Sequence, residues 1–140
     1  MKTVLTLGTF DLLHVGHLEL FGYCREWAGR DGRVVVAVNR DAFVERYKGR
    51  LPVVPYQQRV EMLDAVRDVD LVVCNAGDED AKPTISVIQP NLIVVGDDWR
   101  DRDYLGQLGV THEWLLSQWP VMSVVYAPRT RGVSTTALRG

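Results

Sequence analysis

The chain has 140 residues, of which 46% are hydrophobic and 24% are charged. This predicts one soluble globular domain over residues 1–140 and excludes disorder, collagen and coiled coil as whole-chain classes. The balance of 16 basic and 18 acidic residues, a net charge of −2, predicts no binding to a nucleic-acid polymer. Two cysteines are too few for a disulfide framework. Because no secretory signal and no apolar run of membrane-spanning length is found, we expect a cytoplasmic protein without a membrane span.

Short runs of apolar, mostly β-branched residues recur along the chain without alternating polar positions, which is typical of strands buried in a parallel sheet. The predicted strands are residues 4–7, 34–38, 71–74, 92–95 and 122–126. The predicted helices are residues 15–28, 56–67, 83–89 and 111–118, and a last helix begins at Ser134. This alternation predicts an α/β protein, a Rossmann-like three-layer fold with a parallel five-stranded sheet. In such folds ligands bind beyond the carboxyl ends of the strands.

The loop after the first predicted strand reads Gly8-Thr9-Phe10-Asp11-Leu12-Leu13-His14-Val15-Gly16-His17. Gly8 permits a tight turn, and Gly16 leaves one helix turn without a side chain, so a bulky group can lie close. If the next helix begins near His14, its imidazole and that of His17 share one face. The partial positive charge and free N–H groups of a helix N-terminus suit a phosphate.

Other interpretations of these residues are open at this point. The two histidines would fit half of a zinc site, but zinc needs three or four protein ligands, and His112 is far away in the sequence. They would also fit a structural role. Asp11 alone would fit a helix cap.

Three later segments carry related chemistry. Lys48, one of only three lysines, lies in a loop with glycine and proline and is by itself a solvated side chain. The acids of Gly96-Asp97-Asp98-Trp99 suit magnesium or a base amino group, or they end a strand in solvent. Residues 129–136 place arginines, a glycine and a Ser/Thr run at a helix start, which is typical of an anion site and of an ordinary N-cap.

The first loop resembles the signature of the His-x-Gly-His nucleotidyltransferases, and within them it most resembles the cytidylyltransferases. Residues 129–136 are similar to the cytidylyltransferase segment Arg-Thr-x-Gly-[Ile/Val]-Ser-Thr-[Thr/Ser], which holds the triphosphate of CTP in that family. Gly-Asp-Asp-Trp matches the members that act on glycerol-3-phosphate. The resemblance runs from Thr3 to Thr136 and implies a single nucleotidyltransferase catalytic domain.

The resemblance also implies roles for individual residues. The expected catalytic residues are His14, His17, Lys48 and Arg129. The expected nucleotide-binding residues are Gly8, Thr9, Phe10, Asp11, Gly16, Gly96, Asp98, Thr130, Ser134 and Thr135. Arg59, Arg67 and Trp99 are expected to bind the acceptor. Asp11 is expected as a weak partner of a magnesium ion that the triphosphate carries.

The implied reaction transfers CMP from CTP to a small phosphorylated alcohol, glycerol-3-phosphate above all, and releases pyrophosphate. An acceptor phosphate oxygen attacks the α-phosphorus in line, so the reaction needs positioning and charge stabilisation rather than a nucleophilic side chain. The expected partners are CTP with Mg²⁺ and the acceptor, without nucleic acid. Resemblance alone leads us to expect a homodimer.

Two competing functions are open. With the same fold, the acceptor would be phosphocholine or phosphoethanolamine, or the enzyme would adenylylate FMN or a sugar phosphate. A quaternary ammonium acceptor calls for an aromatic cage. The other competitor is a non-catalytic nucleotide-binding module. The chain departs from the resemblance at residues 75–82, which lack an aromatic, and at residues 100–128. This second stretch is longer than in the short bacterial glycerol-phosphate enzymes and adds a Trp-rich segment, 105–119, that is expected to be helical.

Overall fold

The structure is a computed structural model that describes residues 2–121 and 123–128. The strands are β1 (Thr3–Gly8), β2 (Arg33–Val38), β3 (Leu71–Cys74), β4 (Leu92–Gly96) and β5 (Ser123–Ala127). The helices are α1 (Val15–Ala28), α2 (Asp41–Lys48), α3 (Tyr56–Asp64), α4 (Lys82–Ile88), α5 (Tyr104–Gln107) and α6 (His112–Ser117), and one 3-10 turn covers Asp97–Trp99. Within the described ranges, none of these helices is long and apolar enough to cross a membrane.

All five strands pair in parallel, in the order β3-β2-β1-β4-β5. Successive side chains of a strand point to opposite faces of the sheet. Leu5 and Leu7 of β1 therefore pack on one face against the α4, α5 and α6 side, while Val4 and Val36 pack on the other against the α1 and α3 side. The prediction of a Rossmann-like three-layer fold with a parallel five-stranded sheet is confirmed.

The strands agree with the predicted ones to within one residue at each end, but the helices differ in three places. The helix α2 was not predicted, and Lys48 is its last residue rather than part of a loop, with Gly49 in the left-handed conformation directly after it. The helix α3 ends at Asp64 rather than at residue 67. The N–H groups of Ala65 and Val66 donate hydrogen bonds to carbonyls three residues back, and these bonds tighten the turn toward β3. The segment expected to be one helix over 105–119 is broken at Gly109, whose φ is 70°.

The sheet order places the carboxyl ends of β1 and β4 side by side at the centre of one edge. From β1 the chain continues outward through β2 to β3, whereas from β4 it continues in the opposite direction to β5. The loops that leave β1 and β4 therefore diverge and leave a crevice between them, which is the usual ligand position in open parallel sheets.

Candidate active site

A cavity of about 1000 Å³ opens at this crevice. Its walls come from the first loop, the start of α1, the end of α2 and the segment after β4. Eleven of the residues predicted for the site line it: Gly8, Thr9, Phe10, Asp11, His14, Gly16, His17, Lys48, Gly96, Asp98 and Trp99. Arg129, Thr130, Ser134 and Thr135, with the helix expected from Ser134, lie outside the described residues.

The first loop adopts a strained backbone. Phe10 and Leu12 have φ angles of 53° and 52°, which residues with a side chain rarely adopt. The Phe10 ring lies over Gly8, where a Cβ would approach a ring carbon to 3.0 Å. The same ring packs against His17 and Phe21, with centroid distances of 5.8 and 5.4 Å. Gly8 thus allows the aromatic ring to fold back and support the face of α1 that carries His17.

Asp11 is buried and does not cap α1. Its two carboxylate oxygens accept hydrogen bonds from the backbone N–H groups of Val53 and Val54, both at 2.8 Å. The carboxylate therefore joins the first loop to the segment between α2 and α3. Because charge-assisted hydrogen bonds to backbone N–H groups are strong, this contact fixes the spacing of the two walls of the cavity.

His14 and His17 share the N-terminal turn of α1, with their rings stacked at a centroid distance of 3.9 Å. His14 is the N-cap, and its Nδ1 accepts from the N–H of Gly16 at 3.0 Å. The Nδ1 of His17 accepts from the N–H of His14 at 3.2 Å. A nitrogen that accepts a hydrogen bond carries no proton, so in both neutral rings the proton is on Nε2. Each ring can therefore donate one hydrogen bond from Nε2.

Both histidines favour the neutral form. Burial lowers the pKa of His17 to about 4; the neighbouring His14 adds to the shift, and Asp11 opposes it. Burial also lowers the pKa of His14. At neutral pH the two rings are thus uncharged donors beside the positive end of the α1 dipole, an arrangement that suits a bound anion.

A chain of side-chain hydrogen bonds runs beneath the cavity across three strand ends. Thr9 Oγ1 shares a 2.8 Å hydrogen bond with the Tyr47 hydroxyl and accepts from the Asn39 amide at 3.3 Å. Asn75 Nδ2 donates to Asn39 Oδ1 at 3.1 Å, and the Thr84 hydroxyl donates to Asn75 Oδ1 at 2.9 Å. The loops after β1, β2 and β3 are therefore held in fixed relative positions.

Lysine and arginine side chains reach the cavity from the end of α2. Lys48 Nζ lies 5.6 Å from the centroid of the Tyr47 ring, and Lys48 and Arg50 both line the cavity. Since the Tyr47 hydroxyl is hydrogen-bonded to Thr9, the Tyr47 ring links Lys48 to the first loop. The two cations stand where they can balance the charge of a polyphosphate.

The 3-10 turn after β4 brings two acids and a tryptophan to the cavity. A Cβ at Gly96 would lie only 2.7 Å from Asp98 Oδ1, so a glycine here gives the carboxylate its room. Asp97 is paired with Arg100 at 2.6 Å. The guanidinium carbon of Arg102 lies over Trp99, 5.0 Å from the ring centroid. A cation thus covers one face of the tryptophan.

Arg59 does not reach the cavity surface. Its side chain is 1% exposed and donates to the carbonyl oxygens of Thr9 and Val54, at 2.6 and 2.9 Å, and to Asp41 Oδ1 at 2.6 Å. Arg59 therefore does not line the cavity, because its N–H groups are hydrogen-bonded to two backbone carbonyls and to Asp41 behind the first loop, and its role in binding an acceptor stays a prediction. Its contacts position Thr9.

Arg67 lies at the opposite edge of the sheet, because it precedes β3 and β3 runs parallel to β1. There it lines a second cavity together with Arg25, Arg30 and Asp68. The structure therefore places Arg67 away from the first cavity of the same chain, and its role in binding an acceptor stays a prediction.

Several residues of the cavity wall were not predicted: Tyr47, Asn39, Asn75, Arg102 and Tyr104. Asn39 and Asn75 come directly after β2 and β3, so the rule that ligands bind beyond strand ends was a sufficient signal for both. Tyr47 lies on α2, which was not predicted. Arg102 and Tyr104 lie between β4 and β5, in a stretch that departs from the family resemblance in part.

One family model and many proteins of known name match this chain. The model described as cytidylyltransferase-like matches residues 5–140. An FAD synthase of Methanopyrus kandleri is 40% identical over 97 residues, which are 69% of this chain and only 63% of that protein. An FAD synthase of Korarchaeum cryptofilum is 31% identical over 138 residues, 98% of this chain and 88% of that one. A glycerol-3-phosphate cytidylyltransferase of Staphylococcus aureus is 33% identical over 140 residues, 99% and 93% of the two chains.

Among solved structures, a lipopolysaccharide core biosynthesis protein from Thermoplasma volcanium superposes with a TM-score of 0.74. The match covers 93% of this chain and 98% of that one, at 23% sequence identity. At this identity the likeness concerns the fold, and it agrees with the three-layer parallel sheet.

Replacing Arg59 by methionine is expected to lower the free energy of unfolding by about 3 kcal/mol, because the Thr9 and Val54 carbonyls and Asp41 lose a buried cation. Urea unfolding measures the loss. The matched control is Arg100→Met, which removes an exposed ion pair with Asp97 and is expected to change the stability far less. Equal losses in the two variants would contradict the positioning role of Arg59.

The histidine pair predicts an acid-sensitive fold. The pKa of His17 is lowered in the folded state, so between about pH 6.5 and pH 4 the unfolded chain binds more protons, and stability falls as the pH falls. In His17→Asn the amide oxygen can still accept the hydrogen bond from the N–H of His14. Between pH 7 and pH 4.5 we expect the free energy of unfolding of this variant to fall by about 1–2 kcal/mol less than that of the wild type, as measured by urea unfolding. His112→Asn, at the exposed start of α6, should keep the wild-type pH dependence. Parallel curves of the free energy of unfolding against pH for all three proteins would refute this account.

Proposed function

The chain belongs to the cytidylyltransferase-like family of nucleotidyltransferases, and from this premise we propose that it transfers CMP from CTP to glycerol-3-phosphate or a similar phosphorylated alcohol. The observation that carries the proposal is the stacked pair His14 and His17, two neutral Nε2 donors at a helix N-terminus that faces the cavity. The match to the Staphylococcus aureus glycerol-3-phosphate cytidylyltransferase over nearly the whole chain supports the choice of acceptor.

In the proposed step an oxygen of the acceptor phosphate forms a bond to the α-phosphorus of CTP. The bond from that phosphorus to the oxygen that bridges to the β-phosphate breaks, and pyrophosphate leaves with the electron pair. The acceptor is already ionised at neutral pH, so no general base is required. The catalytic need is to hold two anions in line and to stabilise the charge that gathers on the α-phosphate oxygens.

The described residues supply groups for each part of this need. The Nε2 donors of His14 and His17 would bond the α-phosphate oxygens and, being neutral, would lose no proton in doing so. Lys48, from the end of α2, would bridge acceptor and α-phosphate oxygens. By family resemblance, Arg129, Ser134 and Thr135 would hold the β- and γ-phosphates, with Thr130 beside them.

Magnesium would enter with the triphosphate. No group of three His, Cys, Asp or Glu side chains in residues 2–121 and 123–128 is arranged to hold a metal ion, and Mg²⁺ is typically held by substrate phosphates with one or two carboxylates. Both Asp11 oxygens accept from backbone N–H groups, which fits a contact through water better than direct coordination. The ion would neutralise phosphate charge.

Adenylyl transfer from ATP to FMN is the second candidate. Two of the matching proteins are FAD synthases, at 40% and 31% identity. The first loop and the histidine pair would serve either reaction, because both place the same α-phosphate at the same helix end. The two candidates therefore differ in the groups that bind the base and the acceptor.

The proposal extends to the setting of the enzyme. We propose that residues 1–140 act as a single catalytic domain, that the protein works in the cytoplasm and that it forms a homodimer. These points follow from the sequence and the family resemblance.

Pyrophosphate release is expected with CTP, Mg²⁺ and glycerol-3-phosphate, and little with ATP, GTP or UTP. The acceptor panel includes phosphocholine, phosphoethanolamine, sugar phosphates and FMN. His17→Asn should lower kcat about 10²–10³-fold, because one donor to the transition state is lost. His112→Asn, outside the cavity lining, is the matched control and should keep wild-type turnover.

Each result of this assay has a separate meaning. Turnover of ATP with FMN, and not of CTP with any alcohol phosphate, would establish the second candidate instead. Full turnover by His17→Asn would refute the role of the histidine pair. CTP binding without turnover of any acceptor would support the non-catalytic module.

A further inference from the structure

The last turn of α2 carries the lysine on which the proposed transfer step depends. Lys48 ends this helix, and Gly49 follows it in the left-handed conformation. The segment after α2 is joined to the first loop at Val53 and Val54, whose N–H groups donate to the Asp11 carboxylate. Lys48 precedes this connection along the chain, so its long side chain keeps much rotamer freedom unless a closer contact restricts it.

Tyr47, the residue before Lys48, makes such a closer contact with the first loop. Its hydroxyl shares a 2.8 Å hydrogen bond with Oγ1 of Thr9, the residue that directly follows β1. The Tyr47 side chain lines the cavity and is 39% exposed, and its ring packs on the buried Phe43 at a centroid distance of 4.9 Å. Tyr47 is therefore held by α2 through its ring and by the first loop through its hydroxyl.

Thr9 is a fixed partner for this hydrogen bond, because two other side chains also bind it. The residue is buried, and its Oγ1 accepts from the Asn39 amide at 3.3 Å. Its backbone carbonyl accepts from the buried guanidinium of Arg59 at 2.6 Å. A hydrogen bond to a partner that cannot move restricts the Tyr47 side chain more than a bond to a mobile surface group would.

The ammonium group of Lys48 lies over the same tyrosine ring. The distance from Lys48 Nζ to the centroid of the Tyr47 ring is 5.6 Å, which is within the range of about 6 Å in which a cation is attracted to an aromatic face. The attraction is modest at an exposed site, so it orients the lysine without occupying its N–H groups. These groups are therefore still available to bind phosphate oxygens.

The hydrogen bond between Tyr47 and Thr9 thus relates Lys48 to the histidine pair. The first loop leads from Thr9 into α1, whose N-cap is His14 and whose first turn carries His17. A contact that fixes Tyr47 against Thr9 also restricts the position of the Lys48 ammonium relative to the two Nε2 donors. Such positioning matters because a displacement of about 1 Å in a reacting arrangement can lower a rate about 10²-fold.

We propose that Tyr47 is a positioning residue for the transfer step, and that it acts through Lys48 by means of its hydrogen bond to Thr9. The inference rests on the proposed function, because it takes from it the role of Lys48 at the α-phosphate. It is independent of the nucleoside and of the acceptor, since CMP transfer and AMP transfer place the same α-phosphate beside the same helix end.

A double-mutant cycle of Tyr47→Phe and Lys48→Gln tests this inference. Tyr47→Phe keeps the aromatic ring and removes the hydrogen bond to Thr9, so we expect kcat to fall about three- to tenfold. In the Lys48→Gln background the same change should alter kcat less than about twofold, because the group that Tyr47 positions is absent. The KM for both substrates should stay within about twofold of the value in the same background without the tyrosine change. Pyrophosphate release is measured with enough enzyme to follow a reaction about 10⁴-fold slower than that of the wild type.

Three results of the cycle would overturn the inference. Equal factors of loss in kcat in the two backgrounds would show that Tyr47 acts independently of Lys48, as a purely structural residue does. An unchanged kcat in Tyr47→Phe would show that the hydrogen bond has no role in the transfer. A rise in KM for either substrate in both backgrounds would show that Tyr47 binds that substrate directly.

The matched control is Tyr23→Phe, which removes a phenolic hydroxyl from α1 at a position outside the cavity lining. The Tyr23 ring packs edge-on against Trp27 at a centroid distance of 6.4 Å. This variant should keep the kcat of the parent protein in both backgrounds. A loss in kcat equal to that of Tyr47→Phe would also overturn the inference.

The outcomes separate this inference from the proposed function. If the wild type turns over CTP and an alcohol phosphate but the cycle shows no coupling, the inference fails while the function stands. If the wild type turns over ATP with FMN instead, the proposed CMP transfer fails, and the same cycle with those substrates decides the inference. If no pair of donor and acceptor is turned over, both fail, because there is then no transfer step for Lys48 to serve.

Discussion

The guanidinium of Arg59 lies in the interior of the protein, where it donates hydrogen bonds to the carbonyls of Thr9 and Val54 and to the carboxylate of Asp41. A buried cation is tolerated only when its donors are satisfied, so these three partners are fixed relative to one another. Thr9 directly precedes Phe10, whose positive φ costs free energy and persists only where the surroundings enforce it. The shape of the first loop, and with it the position of α1, depends on this contact.

Asp11 adds a second connection between the same parts of the chain. Its carboxylate accepts hydrogen bonds from the N–H groups of Val53 and Val54, while Arg59 donates a hydrogen bond to the carbonyl of Val54. The segment that follows Lys48 is therefore tied to the first loop by groups of opposite charge. This explains how a lysine at the end of α2 and a histidine pair at the start of α1 come to face one cavity across more than thirty residues of sequence.

The sequence was sufficient to predict the sheet, because buried parallel strands leave continuous apolar runs that need no long-range information. It was insufficient for Arg59, since an arginine on a short helix normally points to solvent, and its burial depends on carbonyls of another loop. The helix α2 was missed because four of its eight residues are charged and only Phe43 and Val44 are buried, so its periodicity is weak. The burial of Tyr104 depends on the packing of helices from both sides of β4, which no local sequence pattern records.

The two sides of the cavity are built by different means. The histidine side depends on backbone N–H groups, a helix end and the buried guanidinium of Arg59, which suit a bound anion whatever nucleoside carries it. The other side consists of individual side chains after β4, among them Asp98, Trp99 and Arg102. Side chains on this second side can therefore be substituted without a change in the backbone contacts of the first. Such a division is compatible with the matches to one protein named FAD synthase and one named glycerol-3-phosphate cytidylyltransferase, each of which covers nearly all of this chain.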